Sequence, residues 1–221
     1  MTFAGTIVKT IALLSVATLF AGHAWLRGDD YYPLYVPLLT SAGGLAIAIW
    51  ITAKPHLAPF MAPLHAALHG TTLGFIASFR AGSDGGLVAQ AILVTFVVLA
   101  MALMLYLVPL FRGSTLLYKI TALTMVALVA YYVLDLTVLV LFEVHMPLLH
   151  SSTPFGIVFS IAVCAVASFV FVLDFDLVHE GVRRGAPKQI EWYAAFSLVA
   201  TLIWLYAEAV RLVAKLNPLA D

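Results

Sequence analysis

Three carboxylates in the last fifty residues of the chain lie within stretches that are otherwise apolar. Asp174 and Asp176 follow the apolar run 169–173, and Glu208 lies inside a second apolar segment. A charge near the middle of a membrane-spanning helix costs about 2.5–3.5 kcal/mol on insertion scales. If these segments span a membrane, the three side chains are therefore candidates for proton sensing or for lining an ion pathway.

Polar residues in the last apolar segment recur on one helical face. Ser197, Thr201, Glu208 and Arg211 follow one another at intervals of four, seven and three residues. A polar stripe on an apolar helix should face protein or water rather than lipid. Two interpretations remain open. The stripe lines an ion pathway, or Glu208 and Arg211 form a pair that stabilises the outer end of the helix, where arginine can extend toward water.

Asp174 and Asp176 are two residues apart, which places them about 200° apart around a helix axis. They cannot face the same partner, so we expect one to face the helix bundle and the other to face cytoplasmic water or the basic turn. That turn contains Arg183, Arg184 and Lys188. The sequence places both aspartates at the C-terminal end of a helix, where the macrodipole is unfavourable to anions. This raises their tendency to bind a proton, which favours a functional role. The alternative is that both merely cap and solvate that end.

Two further sets of residues could do chemistry. Asp135 follows Tyr131 and Tyr132 in an apolar segment, and both a functional and a structural role are open for it. His65 and His69 have the i, i+4 spacing of metal ligands on one helix face. Because no third ligand lies at a matching spacing, packing or a hydrogen bond to another helix is the preferred interpretation of the two histidines.

The composition indicates a membrane protein. Of 221 residues, 63% are apolar and 10% are charged, and the mean hydropathy is +1.06, whereas about a quarter of the residues of a soluble domain are charged. Zero net charge gives no basic surface for nucleic acid. The sequence contains none of the serine-hydrolase, zinc-protease or phosphate-loop motifs. We therefore expect no catalytic residues, no enzymatic activity and no cofactor.

Seven apolar stretches are long enough to span a bilayer, which needs about 20 residues. They lie near 7–25, 34–53, 57–79, 87–110, 116–142, 155–178 and 190–214. The first could be the apolar core of a signal peptide, but its length favours a retained helix. The intervals are too short for a soluble domain, so the sequence predicts one all-α polytopic membrane domain over residues 1–221, in contact with the lipid bilayer.

The lysines and arginines predict an orientation. With the N-terminus in the cytoplasm, seven of the eleven basic residues are on the inner side: Lys9, Lys54, Arg112, Lys119, Arg183, Arg184 and Lys188. The outer side has Arg27, Arg80, Arg211 and Lys215. The excess predicts a cytoplasmic N-terminus and a C-terminus outside.

Several segments resemble the bacterial branch of the Bax inhibitor-one/YccA-like family, which is also called the transmembrane Bax inhibitor motif family. The similar segments are Leu173-Asp-Phe-Asp, Gly181-Val-Arg-Arg-Gly-Ala-Pro, Glu191-Trp-Tyr-Ala-Ala-Phe, Trp204-Leu-Tyr-Ala-Glu-Ala-Val-Arg-Leu, Pro63-Leu-His-Ala-Ala-Leu-His-Gly-Thr-Thr-Leu-Gly and Gln90-Ala-Ile-Leu-Val-Thr-Phe. The resemblance implies seven transmembrane helices, with the C-terminal helix surrounded by the other six, in a bacterial plasma membrane.

The resemblance also implies a function. Characterised members of the family resemble calcium leak channels whose opening responds to pH, with a carboxylate pair as the sensor. Asp174 matches the first carboxylate of that pair, with Asp176 beside it. Thr201 stands where other branches have the second, and Glu208 lies two turns further along. Calcium would then be the transported ion.

Two hypotheses of different class follow. The first is a pH-sensitive calcium leak pathway that is gated by the carboxylates and lined by the last helix. The second is a regulator that conducts nothing and binds a membrane protease or another membrane protein.

Overall fold

The computed structural model describes residues 1–31, 33, 35–81, 85–108, 113–144 and 146–217. All regular secondary structure in these ranges is helical, as the sequence predicts. The α-helices are α1 (Phe3–Tyr31), α2 (Tyr35–Ala53), α3 (Ala58–Ala81), α4 (Gly85–Leu107), α5 (Thr115–Phe142), α6 (Pro147–His150), α7 (Pro154–Arg183) and α8 (Ile190–Leu216). A 3-10 turn, Pro55–Leu57, precedes α3.

Six of these helices are long and apolar enough to cross a membrane: α1, α2, α4, α5, α7 and α8. Helix α3 covers the third predicted span, but two histidines and two prolines lower its hydropathy. The six helices confirm a polytopic membrane protein, while the seventh crossing and the single domain stay predictions. Helix α8 has the largest buried share of the six, with 56% of its most apolar stretch buried. Its position with the other six helices around it stays a prediction.

Helix α7 is longer than the sequence predicts. It extends to Arg183 instead of residue 178, because Glu180 pairs with Arg183 and Arg184 across its last turn. The helix then ends in a Schellman motif. Gly185 has a φ of +62°, and the amides of Gly185 and Ala186 donate to the carbonyls of Val182 and Gly181 at 3.1 and 2.9 Å.

The extension of α7 corrects the position predicted for Asp174 and Asp176. Both lie inside the helix, and neither closes it. The helix macrodipole therefore does not act on these two side chains, because its effect is confined to the last turn. The burial of Asp174 also excludes the interpretation in which both aspartates cap and solvate a helix end.

The chain forms two compact units. The first comprises Met1–Val88 and Asp174–Trp204, and the second comprises Ala89–Leu173 and Leu205–Asp221. Helices α7 and α8 each contribute to both. Two of the basic residues that predict the orientation, Arg80 and Arg112, have side chains that the structure does not describe.

Small residues bring helices together in the first unit. Its apolar core contains Leu13, Ala17, Ile51, Ala58, Ala62, Ala66, Ala195, Phe196, Val199 and Ile203. Gly70 and Gly74 of α3 lie against the backbone of Ala17 and Ala21 of α1, so closely that a Cβ on either glycine would overlap a carbonyl oxygen. Glycines four residues apart favour such close helix contacts in membranes.

We expect Gly74→Ala to destabilise the protein by about 1–3 kcal/mol, because the added methyl group must push α3 away from α1. Gly22→Ala is the matched control, since nothing lies within 4 Å of a Cβ built at Gly22. The two variants are compared by unfolding in mixed detergent micelles. Equal stability of the two variants would contradict the close contact at Gly74.

Candidate functional site

Asp174 forms the polar centre of the first unit. Its side chain is buried, with the residue 5% exposed. Ser197 donates its hydroxyl to Oδ1, and Thr201 donates to Oδ2 at 2.6 Å. The two donors are one turn apart on α8, so both hydroxyls point to α7. Among the described residues, these contacts include no cationic side chain, so neutral hydroxyl groups alone satisfy this carboxyl group.

The chemistry of these three groups makes the contact sensitive to a proton. An ionised carboxylate only accepts hydrogen bonds, whereas the protonated acid donates one. When both hydroxyls donate to Asp174, as observed, the carboxylate form is fully matched. Protonation of either oxygen would require one hydroxyl to turn from donor to acceptor, which would change the link between α7 and α8 in this unit.

Glu208 forms a second polar cluster, in the second unit. The residue is 1% exposed, and its Oε1 accepts from the Tyr132 hydroxyl at 2.8 Å and from Arg211 Nη1. The Arg211 guanidinium also lies 5.7 Å from the centre of the Tyr132 ring. The ion pair expected from the spacing is therefore present. The other oxygen, Oε2, is buried without a hydrogen-bond partner among the described residues.

The polar stripe on α8 thus belongs to two separate clusters. Ser197 and Thr201 contact Asp174 in the first unit, and Glu208 and Arg211 contact Tyr132 in the second. Within the described part of the chain, Asp174 accepts hydrogen bonds only from neutral hydroxyl groups, whereas Glu208 has a cationic partner. Of the two carboxylates, Asp174 is the better candidate for a proton-sensitive residue.

Asp135 has a structural contact. Its buried carboxylate accepts a hydrogen bond from the Met146 amide at 2.8 Å, which ties α5, about two turns before its end, to the residue before α6. A role for Asp135 in an ion pathway stays a prediction.

The basic turn contains internal ion pairs. Arg183 and Arg184 both pair with Glu180, while Lys188 is exposed. Asp176 is half-buried, and a proton-sensing role for it stays a prediction. Sequence reasoning missed Glu180, although its i+3 and i+4 spacing to the two arginines could have identified the pairs.

His65 and His69 lie together on α3, with ring centres 4.6 Å apart. The His65 ring packs edge-on against Phe196 at 4.9 Å, as expected for a packing role. The described residues contain no group of three His, Cys, Asp or Glu side chains that could hold a metal ion. The pair therefore has no third ligand of these types within the described part of the chain.

Two buried charges were not singled out from the sequence. Glu191, in the first turn of α8, pairs with Lys9 and accepts from the amide and hydroxyl of Thr2 at 2.9 and 3.2 Å. Lys215, in the last turn of α8, is held by oxygens of α6 and α7. An acidic residue in the first turn and a basic one in the last turn match the helix dipole. This charge pattern could have identified both residues from the sequence.

A family model described as Bax inhibitor 1 like matches residues 1–218, which extend from α1 to the end of α8 and include both polar clusters. No curated protein matches the chain, and no solved structure matches it. With its six apolar spanning helices, the chain is an integral membrane protein that belongs to the Bax inhibitor 1 like family.

Proposed function

We propose that this protein provides a calcium leak pathway across the membrane and that protonation of Asp174 regulates it. The observation that carries the proposal is the buried Asp174 carboxyl group, which α8 holds through two hydroxyls and no cation among the described residues. The resemblance of segments around Asp174 and along α8 to the family of pH-responsive calcium leak channels supports it. We propose no enzymatic activity.

The oxygens around Asp174 suit a calcium ion that passes through. Calcium prefers oxygen ligands and takes about six to eight of them. Two carboxylate oxygens and two hydroxyl oxygens supply an incomplete set, so water would have to complete the coordination. Conduction requires binding that is weak enough to release the ion. An incomplete site of this kind supports transit rather than storage.

Proton regulation follows from the same geometry. While Asp174 is ionised, it accepts from Ser197 and Thr201 and links α7 to α8 twice. A proton on the carboxyl group removes the charge that attracts a cation and forces one hydroxyl to reorient. Both effects act on the same carboxyl group, so flux through the pathway would change with pH.

The direct test is calcium flux into liposomes that enclose a calcium-sensitive dye, at one acidic and one alkaline pH. We expect flux above that of protein-free liposomes and a clear difference between the two pH values. Absence of flux from folded protein would remove the leak function. It would instead favour a regulator that conducts nothing and binds a membrane protease or another membrane protein.

We further propose that the N-terminus lies in the cytoplasm of a bacterium and the C-terminus lies outside. If α8 crosses the membrane, a cysteine replacing the exposed Lys188 should react with an impermeant thiol reagent from the cytoplasmic side only. A tag fused after Asp221 should be accessible from the opposite side. Native Cys164 is buried, and the unsubstituted protein measures its background. Labelling of both positions from one side would contradict this topology.

A further inference from the structure

The ammonium group of Lys215 lies in a cage of oxygen atoms in the second unit. Its Nζ donates to the carbonyl of Leu148 at 3.1 Å, to the carbonyl of Gly156 at 2.8 Å and to the hydroxyl of Ser160 at 2.8 Å. Leu148 belongs to α6, and Gly156 and Ser160 are one turn apart in α7. We call these three oxygens the oxygen cage.

The oxygen cage is buried, although it holds a charge. Lys215 is 4% exposed and Ser160 is 1% exposed. Burial of an ammonium group is costly unless its donors are matched, and three acceptors match the three N–H groups of a protonated lysine. Two of the acceptors are carbonyls, which cannot donate in return. The cage is thus built for a positive charge.

The backbone comes together at a glycine to form this cage. A Cβ on Gly156 would overlap the carbonyl oxygen of Ser151. The absence of a side chain lets the start of α7 approach the preceding segment closely, and the same residue presents its carbonyl to Lys215.

The chemistry of the oxygen cage is that of a cation site. Backbone carbonyls and hydroxyls are the ligands of hard cations, and rings of carbonyls replace the water shell of potassium in channels. A primary ammonium group is a compact point charge with strong hydration, and it competes for the same oxygens. Lys215 follows Glu208 by two helical turns on the same face of α8, and both residues belong to the second unit.

We propose that the oxygen cage is a site for a small monovalent cation, which the chain fills with its own Lys215. The three oxygens stay in place when the lysine side chain is removed, so the site then becomes available to a free cation that is small enough to enter.

Chemical rescue tests the cation site. Lys215→Ala should lower the thermal transition in detergent, and methylammonium should restore most of that loss in a saturable manner. Tetramethylammonium chloride at equal ionic strength controls for screening, because this cation is too large for the cage and has no N–H donor. Lys188→Ala is the matched variant, since Lys188 is exposed and should show neither loss nor rescue.

Ser160→Ala in the Lys215→Ala background should weaken the rescue, because it removes one oxygen of the cage. Failure of methylammonium to stabilise Lys215→Ala, or equal stabilisation by tetramethylammonium or of Lys188→Ala, would overturn the cation site. If Lys215→Ala cannot be purified, it and Lys215→Gln are extracted with methylammonium in every buffer. Recovery of folded protein supports the site, and failure to recover either variant overturns it.

Discussion

Asp174→Asn should remove most of the pH dependence of calcium flux. Asparagine has an acceptor oxygen and a donor nitrogen in place of the two carboxylate oxygens, so it imitates the protonated acid. Ser197 and Thr201 both donate to the wild-type carboxylate, and one of them must reorient in the variant. The variant at alkaline pH should therefore conduct like the unsubstituted protein at acidic pH, and the ratio of its fluxes at the two pH values should approach one.

Asp176→Asn provides the matched control, because it makes the same change two residues away on a half-buried side chain. Its pH dependence should remain close to that of the unsubstituted protein. Folding of both variants is checked by thermal unfolding, so that a loss of flux is not confused with a loss of protein. If Asp174→Asn retains the full pH dependence, the sensor is another carboxylate, and the proposed role of the hydroxyl contacts is wrong.

The helical class could be predicted from the sequence because apolar runs of bilayer length have few alternative structures. The end of α7 was less predictable. The predicted span ends at Val178, but the helix continues through Glu180 to Arg183 and is capped at Gly185. Hydropathy marks where a helix leaves the membrane, whereas side-chain pairs and the glycine mark where the helix itself ends.

The two polar clusters show what spacing can and cannot predict. The Glu208–Arg211 pair follows from helical periodicity alone, since both residues lie on one turn. The partners on other helices do not. Tyr132 bonds Glu208 from α5, and Ser160 bonds Lys215 from α7, and no local pattern joins residues 76 or 55 positions apart. Such contacts depend on how the helices pack.

Arg211→Gln should cause the largest loss of stability among the variants of the Glu208 cluster. It leaves the Glu208 carboxylate, in a residue that is 1% exposed, without its cation. Breaking a buried ion pair from one side costs about 3–5 kcal/mol. Glu208→Gln should cost less, roughly 1.5–3 kcal/mol for a hydrogen bond to a charged group. The asymmetry arises because the Arg211 side chain is 24% exposed and can reach water.

The double variant Glu208→Gln/Arg211→Gln tests whether the two residues stabilise the protein as an ion pair or independently of each other. It leaves neither charge unpaired, so it should be more stable than Arg211→Gln alone, and the difference from additivity measures the coupling between the two residues.

Arg184→Gln is the matched control. Its guanidinium also pairs with a glutamate, but its side chain is 73% exposed, and a surface pair contributes about 0–1 kcal/mol. Unfolding in mixed micelles gives all four free energies. An Arg211→Gln variant as stable as Arg184→Gln would show that Glu208 tolerates burial without a cation. Its Oε2, which has no hydrogen-bond partner among the described residues, would then make Glu208 a second candidate for proton binding.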